Sequence, residues 1–191
     1  RSAIDLKSFT VTANKRKQLE SEVPNMIVRI SSKDIEFSNS QTVADVLNNT
    51  GEVFIQKSQL GGGSPMIRGF SANRVLIVVD GIRMNNAIFR SGNVQNIISI
   101  DPNSVSAAEV IYGPGSVIYG SDALGGVMSF ATSKPELSFQ KDSTILKGDA
   151  LLRYSSANTE RIGHFKFGLG GQKLGVLFSY TYSAFSDLKS G

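Results

Sequence analysis

The stretch "AEVIYGPGSVIYGSDALGGVMSFAT", residues 108–132, decides how the chain is read. Two apolar runs, Val110–Tyr112 and Val127–Met128, flank a segment dense in glycine and empty of nucleophile–base pairs. Glycine supplies positive φ where other residues are strained. Proline fixes φ for the first central position of a turn, and Pro114 stands between Gly113 and Gly115. The stretch therefore reads as a strand ending at Gly113, then "GPGSVIYGSDALGG" as a turn, one short helical turn and another turn, and a closing strand "GVMSFAT".

Working outward, the preceding chain gives a compact series of elements. "NMIVRI" reads as a strand, and "SSKDIEF" as a short helix opened by serine caps. In "TVADVLNNTG", Thr42 suits an N-cap, Val43, Val46 and Leu47 fall at helical spacing, and Gly51 is a stop. "EVFIQKS" reads as a strand, "QLGGGSP" as a loop, and "MIRGF" and "RVLIVVDGIRM" as strands. Within the last, Asp80-Gly81 is a tight-turn pair. Asp101 caps a short helical segment with Pro102 at its first position, leading into the strand that ends at Gly113. The first 22 residues are polar, with one short extended run at Phe9–Thr12, and read as a flexible arm.

After Pro135 the pattern changes to strict period two. Ala150, Leu152 and Tyr154 alternate with Asp149, Arg153 and Ser155. Phe165, Phe167 and Leu169 alternate with His164, Lys166 and Gly168. Val176, Phe178, Tyr180 and Tyr182 alternate with Ser179, Thr181 and Ser183. Polar turns at Asn158–Arg161 and Gly171–Lys173 join the three runs. Such alternation suits an antiparallel sheet with one wet face, or a membrane barrel with apolar side chains outward. Three strands cannot close a barrel, and an open apolar ribbon invites aggregation, so the sheet is expected to continue beyond Gly191. The start at Arg1 rather than Met points to a mature or trimmed product.

Composition excludes several classes. The 191 residues are 40% hydrophobic, which excludes a wholly disordered chain. The formal net charge is +4, but apart from Lys15-Arg16-Lys17 the basic residues are scattered, so no nucleic-acid partner is expected. No Cys is present, so disulfides and thiolate metal sites are excluded. No apolar run of about 18 residues forms a membrane helix, a test that barrel strands evade. The glycines do not form a phosphate loop, because no Gly-Lys-Ser/Thr follows them. No Gly-x-Ser-x-Gly elbow is present, and the sole histidine, His164, lies in an alternating strand. Neither enzymatic activity, nor a cofactor, nor a metal is expected.

The anchors Ile67-Arg68-Gly69, Val79-Asp80-Gly81-Ile82-Arg83, Glu109-Val110, Gly113-Pro114, Tyr119-Gly120-Ser121 and Gly125-Gly126-Val127 stand in one order along the chain. In that order and spacing they resemble the plug domain of TonB-dependent outer-membrane receptors. The resemblance covers about Phe9 to Pro135, and the alternating tail is similar to the first strands of the receptor barrel. It implies an α+β plug, a small mixed sheet with short helices, followed by antiparallel strands of a transmembrane β-barrel of about 22 strands. The domains are then expected as an arm with a TonB box over 1–22, the plug over 23–135 and the start of the barrel over 136–191. In such a plug Gly69, Asp80, Gly81, Gly113, Pro114, Gly120, Gly125 and Gly126 serve turns and close packing.

The resemblance further implies an energised importer of the Gram-negative outer membrane, the plug lying inside the barrel. Its partner TonB adds a strand to the box, here expected at Phe9, Thr10, Val11, Thr12 and Ala13. Substrate is expected at the apical loops, 56–64 and 84–95, through Gln59, Leu60, Asn85, Phe89 and Arg90. In the family, two arginines tie plug to barrel. Arg68 supplies one, whereas Tyr112 stands where an Arg-Gly-Pro motif would supply the other, so Arg68 is expected to act alone or with Arg83. Its place between Ile67 and Phe70 reads as a buried strand. "VVDGIRM" is more similar to receptors for iron chelates (siderophore or haem) and cobalamin than to glycan importers, which tend to carry proline at the position of Arg83. A glycan or peptide importer, a receptor-like signal transducer and a pore-plugging subunit are the alternatives.

Overall fold

The computed structural model describes residues 9–10, 18–19, 26–51, 53–58, 62–71, 74–84, 97–113, 115–140, 143–156 and 159–186. The chain divides into two compact units, Arg1–Thr132 and Ser133–Gly191.

In the first unit, two short strands come first, β1 (Phe9–Thr10) and β2 (Gln18–Leu19), paired antiparallel with Phe9 opposite Leu19 and Thr10 opposite Gln18. The extended run expected from Phe9 is thus a paired strand at Phe9–Thr10. Next come β3 (Ile27–Ser31), α1 (Ser32–Ser38) and α2 (Val43–Asn49). Both helices open on a capping box. Ser31 Oγ accepts from the Asp34 amide while the Asp34 carboxylate accepts from Ser31, and Thr42 and Asp45 repeat the arrangement. The hydrogen bonds from Ser31 hold the Asp34 carboxyl below its ordinary range. Gly51, at φ +71, follows α2 as a stop.

A sheet of β4 (Phe54–Ser58), β5 (Gly62–Ile67) and β6 (Phe70–Ser71) follows. Two expectations are corrected here. Residues 62–65 are not loop but strand, paired with β4 through Lys57–Gly63, Gln56–Ser64 and Ile55–Pro65. Gly63 makes this possible, because a Cβ there would press on Ala44 at 3.2 Å and on Ile55 at 3.3 Å. Pro65 sits beyond the reach of β6, where the sheet is two strands wide and a missing amide is tolerated. "MIRGF" is likewise not one strand but a hairpin that turns at Arg68-Gly69.

The core sheet is built from β3, β7 (Val75–Val79), β8 (Ile82–Arg83), β9 (Val105–Tyr112) and β10 (Gly126–Thr132), in the order β3-β9-β10-β7-β8. Only β10 and β7 run parallel. Their runs "VLIVV" and "GVMSF" are apolar on both faces, Ser129 excepted, because both faces are covered. One face packs Ile30, Val110, Met128 and Phe130 with Val46 and Leu47 of α2. The other packs Ile27, Leu76, Ile111 and Val127 against Tyr119 and Ala123, from α3 (Ser116–Tyr119) and the 3-10 turn Ser121–Ala123. Another 3-10 turn, Pro102–Ser104, is capped by Asp101 as expected.

The second unit holds β11 (Ile145–Ser155), β12 (Glu160–Gly170) and β13 (Gly175–Ala184), paired antiparallel in sequence order. The expected period two holds in register. One face carries Leu146, Leu152, Tyr154, Phe165, Phe167, Leu169, Val176, Phe178, Tyr180 and Tyr182, and all are exposed. The opposite face carries Arg153 bound to Glu160 at 2.7 Å, Lys166 at 3.9 Å from Asp149, and His164 Nδ1 at 2.7 Å from Thr181 Oγ1. One boundary is corrected. Arg161, read as turn, lies within β12 opposite Tyr154.

Candidate functional site

The site that the sequence singles out on the first unit is built around Arg68. The hairpin between β5 and β6 closes in two residues, Arg68 at φ +48 and Gly69 at φ +82. Two-residue hairpins favour two positive φ values because their twist then matches the strands. Glycine adopts this freely. A non-glycine residue there is held at a cost of about 1 kcal/mol. The turn brings Arg68 to the surface, so it is exposed rather than buried in a strand. Its guanidinium lies over the Tyr112 ring, 5.3 Å from the centroid, and Nη2 donates to Met26 Sδ at 3.7 Å. Tyr112 itself is buried at the end of β9, where its amide donates to the Met26 carbonyl at 3.0 Å. A cation over an aromatic face at an exposed site contributes about 0.5–1 kcal/mol. Tyr112 is thus an aromatic platform for the Arg68 guanidinium. Arg68 keeps solvent access and its planar fork of donors, which suits a carboxylate.

Arg83 is used differently. Its Nη2 bonds Asp122 Oδ2 at 2.6 Å and ties β8 to the 3-10 turn after α3. Both side chains are substantially exposed, so the pair contributes less than about 1 kcal/mol. Asp80 and Gly81 form the expected tight turn, with φ +48 and +85. Sequence reasoning missed a second role for Asp80. Its carboxylate accepts from the Thr132 amide at 2.9 Å and from Thr132 Oγ1 at 2.6 Å, pinning the hairpin to the end of β10. The signal was the Asp-Gly pair, but the partner lies 52 residues away and no local pattern marks it.

The glycines of the stretch 108–132 behave as read. Gly113 and Gly120 have φ +92 and +87. Gly126 has φ +153, and a Cβ there would stand 2.7 Å from the Ile111 carbonyl oxygen. Gly125 passes so close to Phe70 that a Cβ would collide with that side chain. Behind α3, burial and the nearby Glu109 charge raise the Tyr119 hydroxyl above its ordinary range.

Several sequence-predicted residues lie outside the described residues: Val11, Thr12 and Ala13 of the expected box, Gln59, Leu60, Asn85, Phe89 and Arg90 of the expected loops, and Pro114. Of the box, Phe9 and Thr10 form β1. Of the expected loops, Gln56 lies in β4, Ser64 in β5, and Met84 just beyond β8. Among the described residues no group of three or more His, Cys, Asp or Glu side chains could hold a metal ion.

Comparison with known proteins gives these features a setting. Residues 20–127 match the family model described as the TonB-dependent receptor plug domain. Two proteins of Vibrio vulnificus, both vitamin B12 transporters BtuB, are similar in sequence. One, from strain CMCP6, is 39% identical over 69% of this chain and 21% of its own length. The other, from strain YJ016, is 33% identical over 74% of this chain and 23% of its own. The chain thus spans about one fifth of the curated relatives it matches. Among solved structures, the pyoverdine receptor FpvA of Pseudomonas aeruginosa superposes over 92% of this chain and 24% of its own, with TM-score 0.75 and 19% identity. The alcaligin receptor FauA of Bordetella pertussis superposes over 92% of this chain and 29% of its own, with TM-score 0.68 and 15% identity. At those identities the structures support the fold alone.

Proposed function

The chain belongs to the TonB-dependent receptor plug family, which places it in the outer membrane with its plug inside a barrel, and we propose that it gates the energised import of a compact metal chelate: a siderophore, haem or cobalamin. The observation that carries this reading is the plug match over 20–127, joined to 39% identity with a vitamin B12 transporter. The similar proteins are transporters and receptors, and the function proposed here is one of binding and gating. Substrate is taken by the loops that hold Gln59, Leu60, Asn85, Phe89 and Arg90. Bound substrate makes the segment Phe9–Ala13 available to TonB, which adds a strand to it. TonB then supplies the pull that opens a path. This is a coupling free energy between two sites, so TonB engagement must alter substrate affinity as substrate alters TonB engagement. Arg68, seated on Tyr112, ties the plug to a carboxylate of the barrel wall. The domains follow as an arm over 1–22, a plug over 23–135 and barrel strands from 136.

The test uses the intact receptor in a strain without its own receptors for these ligands. Labelled cobalamin, haem and a panel of ferric siderophores are offered, with and without TonB. One of them is expected to accumulate only when TonB is present. Val11→Pro is expected to abolish that accumulation while surface binding survives, because proline cannot donate to an added strand. Val11→Ala keeps its amide and is expected to retain most uptake. Accumulation of none of the ligands, or normal uptake by Val11→Pro, overturns the reading.

A further inference from the structure

The exposed face of the second unit is apolar in every row but one. Across β11, β12 and β13 the rows run Leu146–Leu169–Val176, Gly148–Phe167–Phe178, Ala150–Phe165–Tyr180 and Leu152–Gly163–Tyr182. The fifth row is Tyr154–Arg161–Ala184, and it carries the one cation of this face among the described residues. Among the described residues no carboxylate is ion-paired with Arg161. The side chains beside it leave an open groove of about 370 Å³, lined by Leu152, Tyr154, Arg161, Gly163 and Tyr182 among others. Gly163 creates the groove. It lies opposite both Leu152 and Tyr182, and its missing side chain leaves the space between them.

The level of this groove in a membrane follows from strand geometry. From Leu146 to Tyr154 the strand advances eight residues, or about 27 Å at roughly 3.4 Å per residue. A barrel strand tilted by about 40° converts this to about 21 Å along the membrane normal, against an apolar band about 25 Å tall. If the first row stands near one edge of the band, the Arg161 row stands at the other. Tyrosine is favoured at that depth because its ring is apolar and its hydroxyl is wet. A guanidinium there meets the phosphates of lipid headgroups, and its fork matches a phosphate in two-point contact.

We propose that the groove over Gly163 binds the phosphate-bearing headgroup of an anionic membrane lipid, held by Arg161 and flanked by the Tyr154 and Tyr182 hydroxyls. The first acyl carbons lie in the gap between Leu152 and Tyr182. The site is on the outside of the barrel and is independent of which substrate the receptor carries.

The experiment uses the intact receptor in detergent, with dihexanoyl phosphatidic acid as probe and adducts counted by native mass spectrometry. The wild-type receptor is expected to retain the lipid. Arg161→Gln is expected to lower the adduct about tenfold, the loss of one charge-assisted contact. Gly163→Leu fills the groove without changing charge and is expected to lower it comparably. Labelled-substrate binding and heat-modifiable gel mobility report that both variants are folded. Equal adducts in wild type and Arg161→Gln overturn the proposal. So does equal retention of dihexanoyl phosphatidylcholine, which would mean that net negative charge is not read. Displacement of the lipid by the same concentration of inorganic phosphate also overturns it, because the site would then be a free-anion site.

Discussion

The two units use apolar residues in opposite ways. In the first, β7 and, apart from Ser129, the buried part of β10 are apolar on both faces, and both faces are covered, by α2 on one side and by α3 on the other. In the second, every strand is apolar on one face only, and that face is bare. The first unit is a core protected from any solvent. The second is half a core, whose other half is lipid, and its polar face carries the pairs Arg153–Glu160 and His164–Thr181. The lesson is that an exposed apolar face is a defect or a design depending on the solvent it meets.

The largest expected break of this contrast lies in the glycines. Gly126→Ala combines left-handed backbone with a Cβ 2.7 Å from a carbonyl oxygen. It is expected to destabilise the plug sheet by about 4 kcal/mol, summing strain and overpacking. Gly163→Ala in β12 meets only Leu152, at 3.6 Å, and is expected to be neutral or slightly stabilising. Amide exchange of β9, β10 and β12 in the intact receptor reads both. Equal protection losses in the two variants would erase the distinction.

A smaller effect separates the two faces of one sheet. Phe165→Lys, on the apolar face, is expected to cost about 3 kcal/mol of insertion into a bilayer. Ser183→Lys, on the polar face, should cost little. Urea titration of the receptor folding into vesicles measures both, and a similar loss at Ser183 would mean that the faces have been assigned to the wrong solvents.

The pair Arg68–Tyr112 sharpens the plug side. Arg68→Ala and Tyr112→Leu are each expected to raise leak of a large antibiotic through the receptor. Their effects on amide exchange at β6 should fall short of additive by about 0.5–1 kcal/mol, the size of an exposed cation–aromatic contact. Full additivity would show that Tyr112 only fills space.

The smallest effect is a pH dependence. Tyr119 has a raised pKa in the folded plug, from burial first and the Glu109 charge second. Its contribution is complete below the unfolded value of about 10 and is lost as pH rises through the folded value. Plug stability is therefore expected to decline above about pH 10 in wild type, and less in Tyr119→Phe. The same slope in both would remove Tyr119 from the account.

By itself the sequence determined what depends on neighbours along the chain. The caps at Ser31, Thr42 and Asp101, the Asp80-Gly81 turn, the glycine-rich turns of 108–132 and the period-two strands are all local, because a cap or turn is closed within a few residues and alternation needs only one strand. Tertiary structure alone decided what depends on distant partners. Residues 62–65 read as loop because Gly-Gly-Ser-Pro lacks strand propensity, yet pairing with β4 holds them as a strand, with Gly63 close against Ala44 of α2. Arg68 read as buried because its neighbours are apolar, yet the turn carries it outward onto Tyr112, 44 positions along the chain. Thr132 gave no sign that it closes on Asp80. For Arg68 and Thr132 the deciding contact spans dozens of residues. Its free energy is spent where the sheet brings two strands together, and no local pattern can record that meeting.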